Sequence, residues 1–329
     1  MQALTIPPQF GARRFLSWNE LQREKHGGRV QKVSVDAGFT CPNRDGSKGV
    51  GGCTFCNNAG FTPSYLREER EITKQIETGL DFFSRRYPNT KHFVAYFQAY
   101  SNTYAGVDQL RAVYEAALVH PKIDGLVIGT RPDCVPDDVL DYLAELSRTK
   151  IVELELGIES CDDATLARVN RGHDFAEAED AVRRAAARGL DVAAHIMFDL
   201  PGESRASMLA GAAKLSALPL TSLKFHQLQI IKGTQLANEW RRDAASIQLM
   251  SAEDYFTLLV DFLERLSPTI SIQRVGSEVP PSHKLAPEWN MRLHELLPRM
   301  EALLLERDTW QGRLYAGNEA IVPLSRVPA

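Results

Sequence analysis

Residues 38–61, GFTCPNRDGSKGVGGCTFCNNAGF, hold three of the five cysteines of the chain, here called the loop cysteines: Cys41, Cys53 and Cys56. The stretch is rich in Gly, Asn and Asp, which favour turns and positive φ, so a loop is predicted. An apolar alternation directly before it, over residues 30–35, predicts a strand. Three thiols therefore follow the C-terminal end of a first strand, where α/β proteins commonly place their chemistry.

Three thiols on one loop indicate a metal site, and two kinds of site come into question. A structural zinc site normally closes with four protein ligands, but the next histidine is His92. An iron–sulfur cubane also takes Cys thiolates, and one held by three cysteines leaves an iron open to a small molecule. Buried thiols without a metal are the remaining interpretation. The Gly-Gly pair before Cys53 and the aromatic Phe55 within the CxxC pair make that interpretation less favoured.

At these residues the chain resembles the radical S-adenosylmethionine (radical SAM) superfamily. Cys53-Thr-Phe-Cys56 with Cys41 upstream looks like its cluster loop, although eleven residues, instead of the usual three, separate the first two cysteines. This long form is similar to the YhcC/YtqA-type branch, which is related to the Elongator catalytic subunit and the oxygen-independent coproporphyrinogen oxidase. The resemblance covers about residues 27–287. It implies a [4Fe-4S] cluster on the loop cysteines and S-adenosylmethionine at the open iron.

Composition is ordinary for a globular protein, with 44% hydrophobic and 24% charged residues in 329. No apolar run reaches membrane-spanning length, and the N-terminus lacks the layout of a signal peptide. The five cysteines are odd in number and three of them lie on one loop, which argues against a disulfide framework. A cytoplasmic protein without membrane association is predicted. The net charge of −4 gives no global nucleic-acid footprint, although basic residues outnumber acidic ones over residues 13–36.

Apolar runs and helical periodicities alternate along the chain and predict six βα units. Such alternation indicates a parallel sheet, and a doubly wound sheet would also fit. Neither G-x-G-x-x-G nor a P-loop follows the first strand, however. The resemblance implies instead an α/β fold, a partial (β/α)6 radical SAM barrel. The predicted strands are residues 30–35, 92–98, 125–129, 151–158, 190–200 and 222–231, and the helices residues 66–87, 107–117, 136–146, 174–188 and a segment from Ser204.

The pattern changes beyond Ile231. A capping box at residues 251–254 predicts a helix, residues 269–273 a short strand, and residues 288–307 a helical segment with a break near Pro298. We predict three parts of the chain: an N-terminal segment, 1–29; the core barrel, 30–231; and a small C-terminal α+β extension covering the open barrel, 232–329.

The resemblance also implies residues that bind S-adenosylmethionine. The usual Gly-Gly-Glu after the second strand is missing, so Ser101, Asn102 or Thr103 would hold the methionine ammonium. Arg171 suits a bidentate pair with the methionine carboxylate. An ion pair of Arg171 with a glutamate at the barrel rim is the alternative. The predicted cofactor-binding residues are Phe55 beside the adenine, Ser101, Asn102, Glu155, Glu159 in place of a frequent Gln, Arg171 and His195, four residues before Asp199 where relatives often carry Gly.

Candidate substrate groups come from later strands. Lys224 and His226 alternate with Phe225, so both are predicted to face the barrel interior, and they are the catalytic candidates. An interior lysine needs a partner, either an acid such as Glu155 or an anionic substrate group. Further candidates are Arg131, Arg274, His283 and Lys284. Cys134 and Cys161 are predicted to be plain buried thiols, with a radical relay as the alternative.

The resemblance implies reductive cleavage of S-adenosylmethionine to methionine and a 5′-deoxyadenosyl radical that abstracts hydrogen from a substrate. A one-electron donor such as flavodoxin or ferredoxin would be the partner. Members of the wider branch act on RNA bases, which favours tRNA wobble-uridine side-chain modification. A small metabolite or a peptide is the alternative substrate. A non-catalytic zinc-binding interaction protein is the alternative from another class.

Overall fold

A computed structural model describes residues 5–60, 62–66 and 69–317; Phe61 and the outer ends of the predicted N-terminal segment and C-terminal extension lie outside these ranges. Seven parallel strands, neighbours in chain order, form one sheet that curls into a half-barrel. The strands are β1 (Arg29–Val35), β2 (Thr90–Phe97), β3 (Ile123–Thr130), β4 (Ile151–Glu159), β5 (Asp191–Phe198), β6 (Ser222–Gln227) and β8 (Ser271–Val275), and a separate antiparallel pair consists of β7 (Ile230–Ile231) and β9 (Lys284–Ala286).

Helices connect the strands and cover the outer face of the sheet. They bury the apolar residues of the outward-facing side in one continuous core. Parallel strands need crossover connections, and these helices supply them. The predicted alternation of strands and helices is confirmed. The helices are α1 (Trp18–His26), α2 (Ile72–Arg86), α3 (Val107–Leu118), α4 (Asp137–Ser147), α5 (Asp163–Arg168), α6 (Phe175–Ala187), α7 (Arg205–Ser216), α8 (Gln235–Arg242), α9 (Ala252–Arg265) and α10 (Leu293–Glu306).

Local sequence signals set several of these boundaries. Asp174 and Glu177 form a capping box at the start of α6, and Gly189, with φ of +79°, follows its end. Ser204 and Ser251 cap α7 and α9 through their side chains. The predicted helix starts at these caps are therefore confirmed.

The C-terminal half departs from the sequence prediction in three places. The predicted sixth strand divides into β6 and β7, because β7 leaves the sheet to pair with β9. The short strand predicted in the extension is β8, which joins β6 as the seventh strand of the main sheet. The predicted break near Pro298 is wrong, since α10 continues through this residue. Loss of one backbone donor does not interrupt a helix whose apolar residues Leu296 and Met300 are buried. The three-part division of the chain stays a prediction.

The N-terminal segment fills the gap between the two edges of the half-barrel. Helix α1 contacts both β1 and β8, and the N–H of Ile272 donates to the carbonyl of Leu16 (2.8 Å). The indole of Trp18 donates to Glu153 in the interior (3.0 Å). One end of the barrel is thereby closed, while the cysteine loop lies at the other. None of the helices within the described ranges has the length and apolar character needed to cross a membrane.

Candidate active site

The cysteine loop after β1 is anchored by the segments around α5 and α8. The side chain of Asn170 donates to the carbonyl of Gly52 (2.9 Å), and the N–H of Thr54 donates to Val169 (3.0 Å). The N–H of Leu236 donates in turn to Thr54 (2.9 Å). Gly52 has φ of +79°, and a Cβ there would lie 2.8 Å from a neighbouring guanidinium, so this turn requires glycine.

The loop cysteines line one cavity and have nitrogen donors beside them. Arg171 Nη1 lies 3.5 Å from the Sγ of Cys53, and Asn43 Nδ2 lies 3.8 Å from the same sulfur. Arg44 donates to the carbonyl of Cys56 (2.9 Å). Burial raises the pKa of the Cys56 thiol and the neighbouring Cys53 adds to this, whereas the charge of Arg44 opposes it. Cationic and amide donors thus lie beside the sulfur of Cys53, and the charge of Arg44 acts on that of Cys56, which favours thiolate ligands.

A [4Fe-4S] cluster fits these sulfur ligands. All five cysteines are unbridged, so the three thiols of the loop are free to bind iron. Within the residues that the structure describes, no three His, Cys, Asp or Glu side chains converge on a point that could hold a single metal ion. A cubane makes no such demand, because each cysteine binds a different iron. Hydrogen-bond donors to the sulfurs are also a feature of iron–sulfur sites.

The cavity lies at the C-terminal ends of the strands and is partly open to solvent. Most of the predicted site residues line this cavity. Those lining it are the loop cysteines with Phe55, Ser101, Glu155, Glu159, Arg171, His195 and His226.

Asn102 and Thr103 are placed differently from the expectation. Neither lines the cavity, and both are fully buried. Asn102 donates to the carbonyls of Phe97 (3.1 Å) and Gly129 (2.8 Å), and so ties the ends of β2 and β3 together. The Thr103 hydroxyl bonds that of Thr130 (2.6 Å). Ser101 lines the cavity, with its side chain beside the thiol of Cys134, and is therefore the best placed of the three.

Arg171 stands between the cysteine loop and the end of β4. Besides Cys53, its guanidinium donates to the carbonyl of Gly157 (2.5 Å) and lies 3.7 Å from Glu159. The rim ion pair that was the alternative for this arginine is therefore present. A Cβ at position 157 would lie 2.6 Å from the guanidinium, so glycine makes room for it. Its Nε is buried without a partner in the described part of the chain and remains available to a ligand.

Glu155 is the centre of a buried polar network in the barrel interior. Its Oε2 accepts from Tyr96 (2.6 Å), His195 (2.7 Å) and Lys224 (3.1 Å), and its Oε1 from Lys32 (2.5 Å). The partner predicted for Lys224 is confirmed as Glu155. Burial alone would raise the pKa of Glu155, but the charges of Lys224 and Lys32 hold it well below its usual range.

Burial opposes the charge of Lys32, but Glu153 and Glu155 outweigh it and raise its pKa. The other basic groups of this region, Lys224, His195 and His226, are shifted towards their neutral forms. Burial lowers the pKa of Lys224 to about 8 against the opposing charge of Glu155. Burial and the charge of Lys224 also lower the pKa of His195. His226 lies beside His195, with ring centroids 5.4 Å apart, and burial holds its pKa well below the usual range. Lys224 and His226 thus face the interior as predicted. His226 lines the cavity, whereas Lys224 does not.

The other sequence candidates lie outside the cavity wall or are already paired. Arg131 lines the cavity but is nearly fully buried in a bidentate ion pair with Asp133 (2.8 and 2.9 Å). His283 and Lys284 lie at β9 and do not line the cavity. Cys134 and Cys161 are buried, and burial raises the pKa of each thiol to about 12, as expected of inert thiols.

Sequence reasoning missed several contributors to the site. In the sequence Tyr96 stands out only as part of a predicted strand and Lys32 only as one of the basic residues over residues 13–36, although period-two alternation places both on the inner face. Asn43 and Arg44 lie in the quoted loop, yet their contacts with the cysteines depend on its folded path. Gln227, Gln229 and Ser277 form a further wall, joined by amide hydrogen bonds to Ser277.

Comparisons with known proteins agree with this geometry. The sequence profile of the Radical SAM superfamily matches residues 41–211, and that of the Radical_SAM C-terminal domain matches residues 220–304. YtqA, an uncharacterized protein of Bacillus subtilis (strain 168), is 33% identical over 96% of this chain and 97% of its own. Protein YhcC of Escherichia coli (strain K12) is 38% identical over 80% of this chain and 84% of its own.

More distant similarities concern the fold and part of the chain. The archaeal Methanocaldococcus infernus Elp3 structure superposes with a TM-score of 0.64 at 15% identity, over 86% of this chain and 64% of that one. The tRNA uridine(34) acetyltransferase of Dehalococcoides mccartyi (strain CBDB1) is 26% identical over 56% of this chain and 39% of its own. The profile match over more than half of the chain, together with two relatives above 30% identity, is decisive. This chain belongs to the radical SAM superfamily, whose members bind a [4Fe-4S] cluster and S-adenosylmethionine, and it is a radical SAM enzyme.

Proposed function

We propose that this enzyme modifies the side chain of the wobble uridine in tRNA by hydrogen abstraction. The observation that carries the proposal is the cavity itself, which joins the loop cysteines to a charged barrel interior in one continuous wall. A reduced cluster held by the loop cysteines would supply the electron for the reductive cleavage of S-adenosylmethionine.

The residues of the chain bind and orient the reactants around that chemistry. The loop cysteines would hold the cluster, and Arg171 and Ser101 line the cavity where the methionine end of the cofactor would bind. Phe55 lies on the cavity wall as an apolar surface for the adenine. Deeper in the barrel, Lys224 has a pKa of about 8, so it can give or take a proton near neutral pH.

Two observations support an RNA substrate. A relative that covers part of the chain carries the name of a tRNA uridine(34) enzyme. A surface cleft at the N-terminal ends of β1 and β2 is lined by Arg23, Arg29 and Arg86, and none of the described residues lining it is acidic. A cationic cleft suits a phosphate backbone. The cavity beside the cysteine loop is partly open to solvent, so a polymer can present one nucleotide there.

The test is anaerobic incubation of the reconstituted enzyme with S-adenosylmethionine, a reductant and total tRNA from a strain lacking the enzyme. Nucleoside mass spectrometry should show a mass change confined to the wobble uridine. The Arg86→Gln variant should bind tRNA more weakly and with a salt slope about 0.9 lower, while Arg148→Gln, on the exposed end of α4, should match the wild type. Salt-independent binding and unchanged nucleosides would refute the RNA substrate and favour a small metabolite or peptide.

A one-electron donor such as flavodoxin or ferredoxin is the proposed partner. The surface beside the loop cysteines carries Lys48, which is 39% exposed in its side chain although it pairs with Asp133 (2.8 Å), and Val50, 75% exposed. An exposed apolar residue next to a cation suits a transient contact with an acidic redox protein. Reduction of the reconstituted cluster by flavodoxin should slow in Lys48→Glu without a change in iron content. Equal reduction rates would refute this docking surface.

A further inference from the structure

The interior of the half-barrel contains more positive charge than its carboxylates neutralise. Its cations are Lys32, Lys224 and Arg274. The described carboxylates that face them are Glu153 and Glu155. Glu153 accepts from Lys32 (2.8 Å), Trp18 (3.0 Å) and Gln273 (3.1 Å), and Glu155 is taken by the four donors described above. Both acids are therefore fully engaged, and one of the three cations is left without a counter-charge.

That cation is Arg274. Its guanidinium forms no hydrogen bond or ion pair with any residue that the structure describes, whereas both lysines have carboxylate partners. Its strand position is opposite Lys224 in the pairing of β6 with β8. Neighbours in register on parallel strands point to the same side of a sheet, so Arg274 points into the barrel with Lys224.

A bulge in β8 explains how two consecutive residues reach the interior. The register shifts between Leu223 and Lys224, so Gln273 is the extra residue of β8. Gln273 bonds Glu153 and Ser222, and Arg274 follows it on the same side. The charge of Arg274 contributes to the lowered pKa of Lys224 and of His226, which places the guanidinium close to both.

An unneutralised guanidinium beside a lysine and a histidine is unfavourable in a half-buried position. An anionic ligand would remove that cost. Guanidinium groups bind carboxylate and phosphate oxygens in a bidentate fork. Arg274 does not line the cavity, but it is half-buried rather than sealed, so part of its surface remains accessible. Next to it, His226 lines the cavity and has a buried Nε2 without a partner among the described residues, which offers a second polar contact.

We propose that Arg274, with His226 beside it, binds an oxyanion carried by the substrate, either a carboxylate or a phosphate, inside the half-barrel. The proposal rests on the proposed function in that it names a chemical group recognised at the same site. The oxyanion fixes the end of the substrate furthest from the cysteine loop. A substrate analogue without the charge leaves Arg274 unpaired again, so the site discriminates strongly against it.

Binding of small probe anions to the anaerobically reconstituted enzyme tests this directly. Sodium phosphate and sodium acetate are titrated calorimetrically at constant ionic strength made up with chloride. Wild type and the surface control Arg148→Gln should bind at least one of the two anions, and Arg274→Gln should bind it at least 10-fold more weakly. The preferred anion identifies the substrate group as phosphate or carboxylate. Unchanged binding by Arg274→Gln, or no binding by wild type, would overturn the proposal.

A second measurement needs no variant. Phenylglyoxal modifies accessible arginines, and peptide mass spectrometry gives the rate at each one. The preferred anion should slow modification of Arg274 several-fold and leave that of Arg148 unchanged. Equal rates with and without the anion would contradict the assignment. Neither measurement uses tRNA, so failure of the proposed tRNA reaction and failure of this anion site are separate outcomes.

Discussion

Replacement of Glu155 by glutamine should destabilise the fold far more than removal of a lysine that binds it. Glu155 is fully buried and accepts from two ammonium groups, a phenol and an imidazole. In Glu155→Gln, Lys32 still has Glu153 as an ion-pair partner. Lys224 loses its carboxylate partner and retains its hydrogen bond to the hydroxyl of Tyr96 (2.8 Å). Breaking a buried ion pair on one side costs about 3–5 kcal/mol, because the remaining charge is left uncompensated.

Lys224→Met should cost much less. Glu155 still has Lys32, Tyr96 and His195, so it remains paired with a cation and hydrogen-bonded. The variant also no longer has to desolvate an ammonium group. In the wild type this desolvation lowers the pKa of Lys224 to about 8. The lost charged hydrogen bond and the relieved desolvation oppose each other, and we expect a net loss of about 1 kcal/mol.

Anaerobic thermal unfolding of the reconstituted enzyme measures the difference. For a chain of this size 1 kcal/mol corresponds to about 2 °C, so Glu155→Gln should lower Tm by roughly 6–10 °C and Lys224→Met by roughly 2 °C. Glu145→Gln, which removes an exposed carboxylate on α4, is the charge control and should be neutral. A Tm decrease for Glu155→Gln no larger than that for Lys224→Met would refute the role of Glu155 as the shared counter-ion.

The pH dependence gives an independent check of the same network. The pKa of Lys224 is about 8 in the fold, below its ordinary value of 10.5. Between these values the unfolded chain binds more protons than the fold, so this group makes the free energy of unfolding rise with pH in that window. Lys224→Met should lack this rise. An identical pH profile for the variant and the wild type would contradict the lowered pKa.

Three further predictions concern the cluster, the cofactor and a buried acid. Alanine at any loop cysteine should abolish cluster binding, whereas Cys134→Ala and Cys161→Ala should keep it; iron analysis near four per chain after loss of a loop cysteine would contradict the assignment. Arg171→Ala should keep the iron but weaken S-adenosylmethionine binding by about 2 kcal/mol, and calorimetry showing equal affinity would make the residue purely structural. Burial raises the pKa of Glu203 to about 7 from 4.5, so its contribution to stability is complete below about pH 4.5 and is lost as the pH rises through 7. Glu203→Gln, which keeps an acceptor for the hydroxyl of Ser160 (2.6 Å), should therefore raise stability by about 2 kcal/mol at pH 8 and not at pH 5, and equal gains at both would refute the shifted pKa.

The features that the sequence determined by itself are those encoded by neighbouring residues. The glycine-rich loop with its CxxC pair predicted the chemistry, because three thiols within sixteen residues share one loop in any fold. Alternation along a single strand was enough to turn Lys224 and His226 inward. Caps at Asp174 and Ser251 predicted helix starts for the same local reason.

The partners of these residues were decided only by the tertiary structure. Glu155 on β4 meets Lys32 on β1 and Lys224 on β6 because the sheet curls and the inner faces of distant strands converge in the barrel interior. The guanidinium of Arg171 reaches Cys53 because α5 packs against the cysteine loop. A strand that looked isolated in the sequence became β8, and its bulge placed Arg274 in the interior without a counter-ion among the described residues. Register and bulges depend on how distant segments pack, so no pattern within one segment contains them.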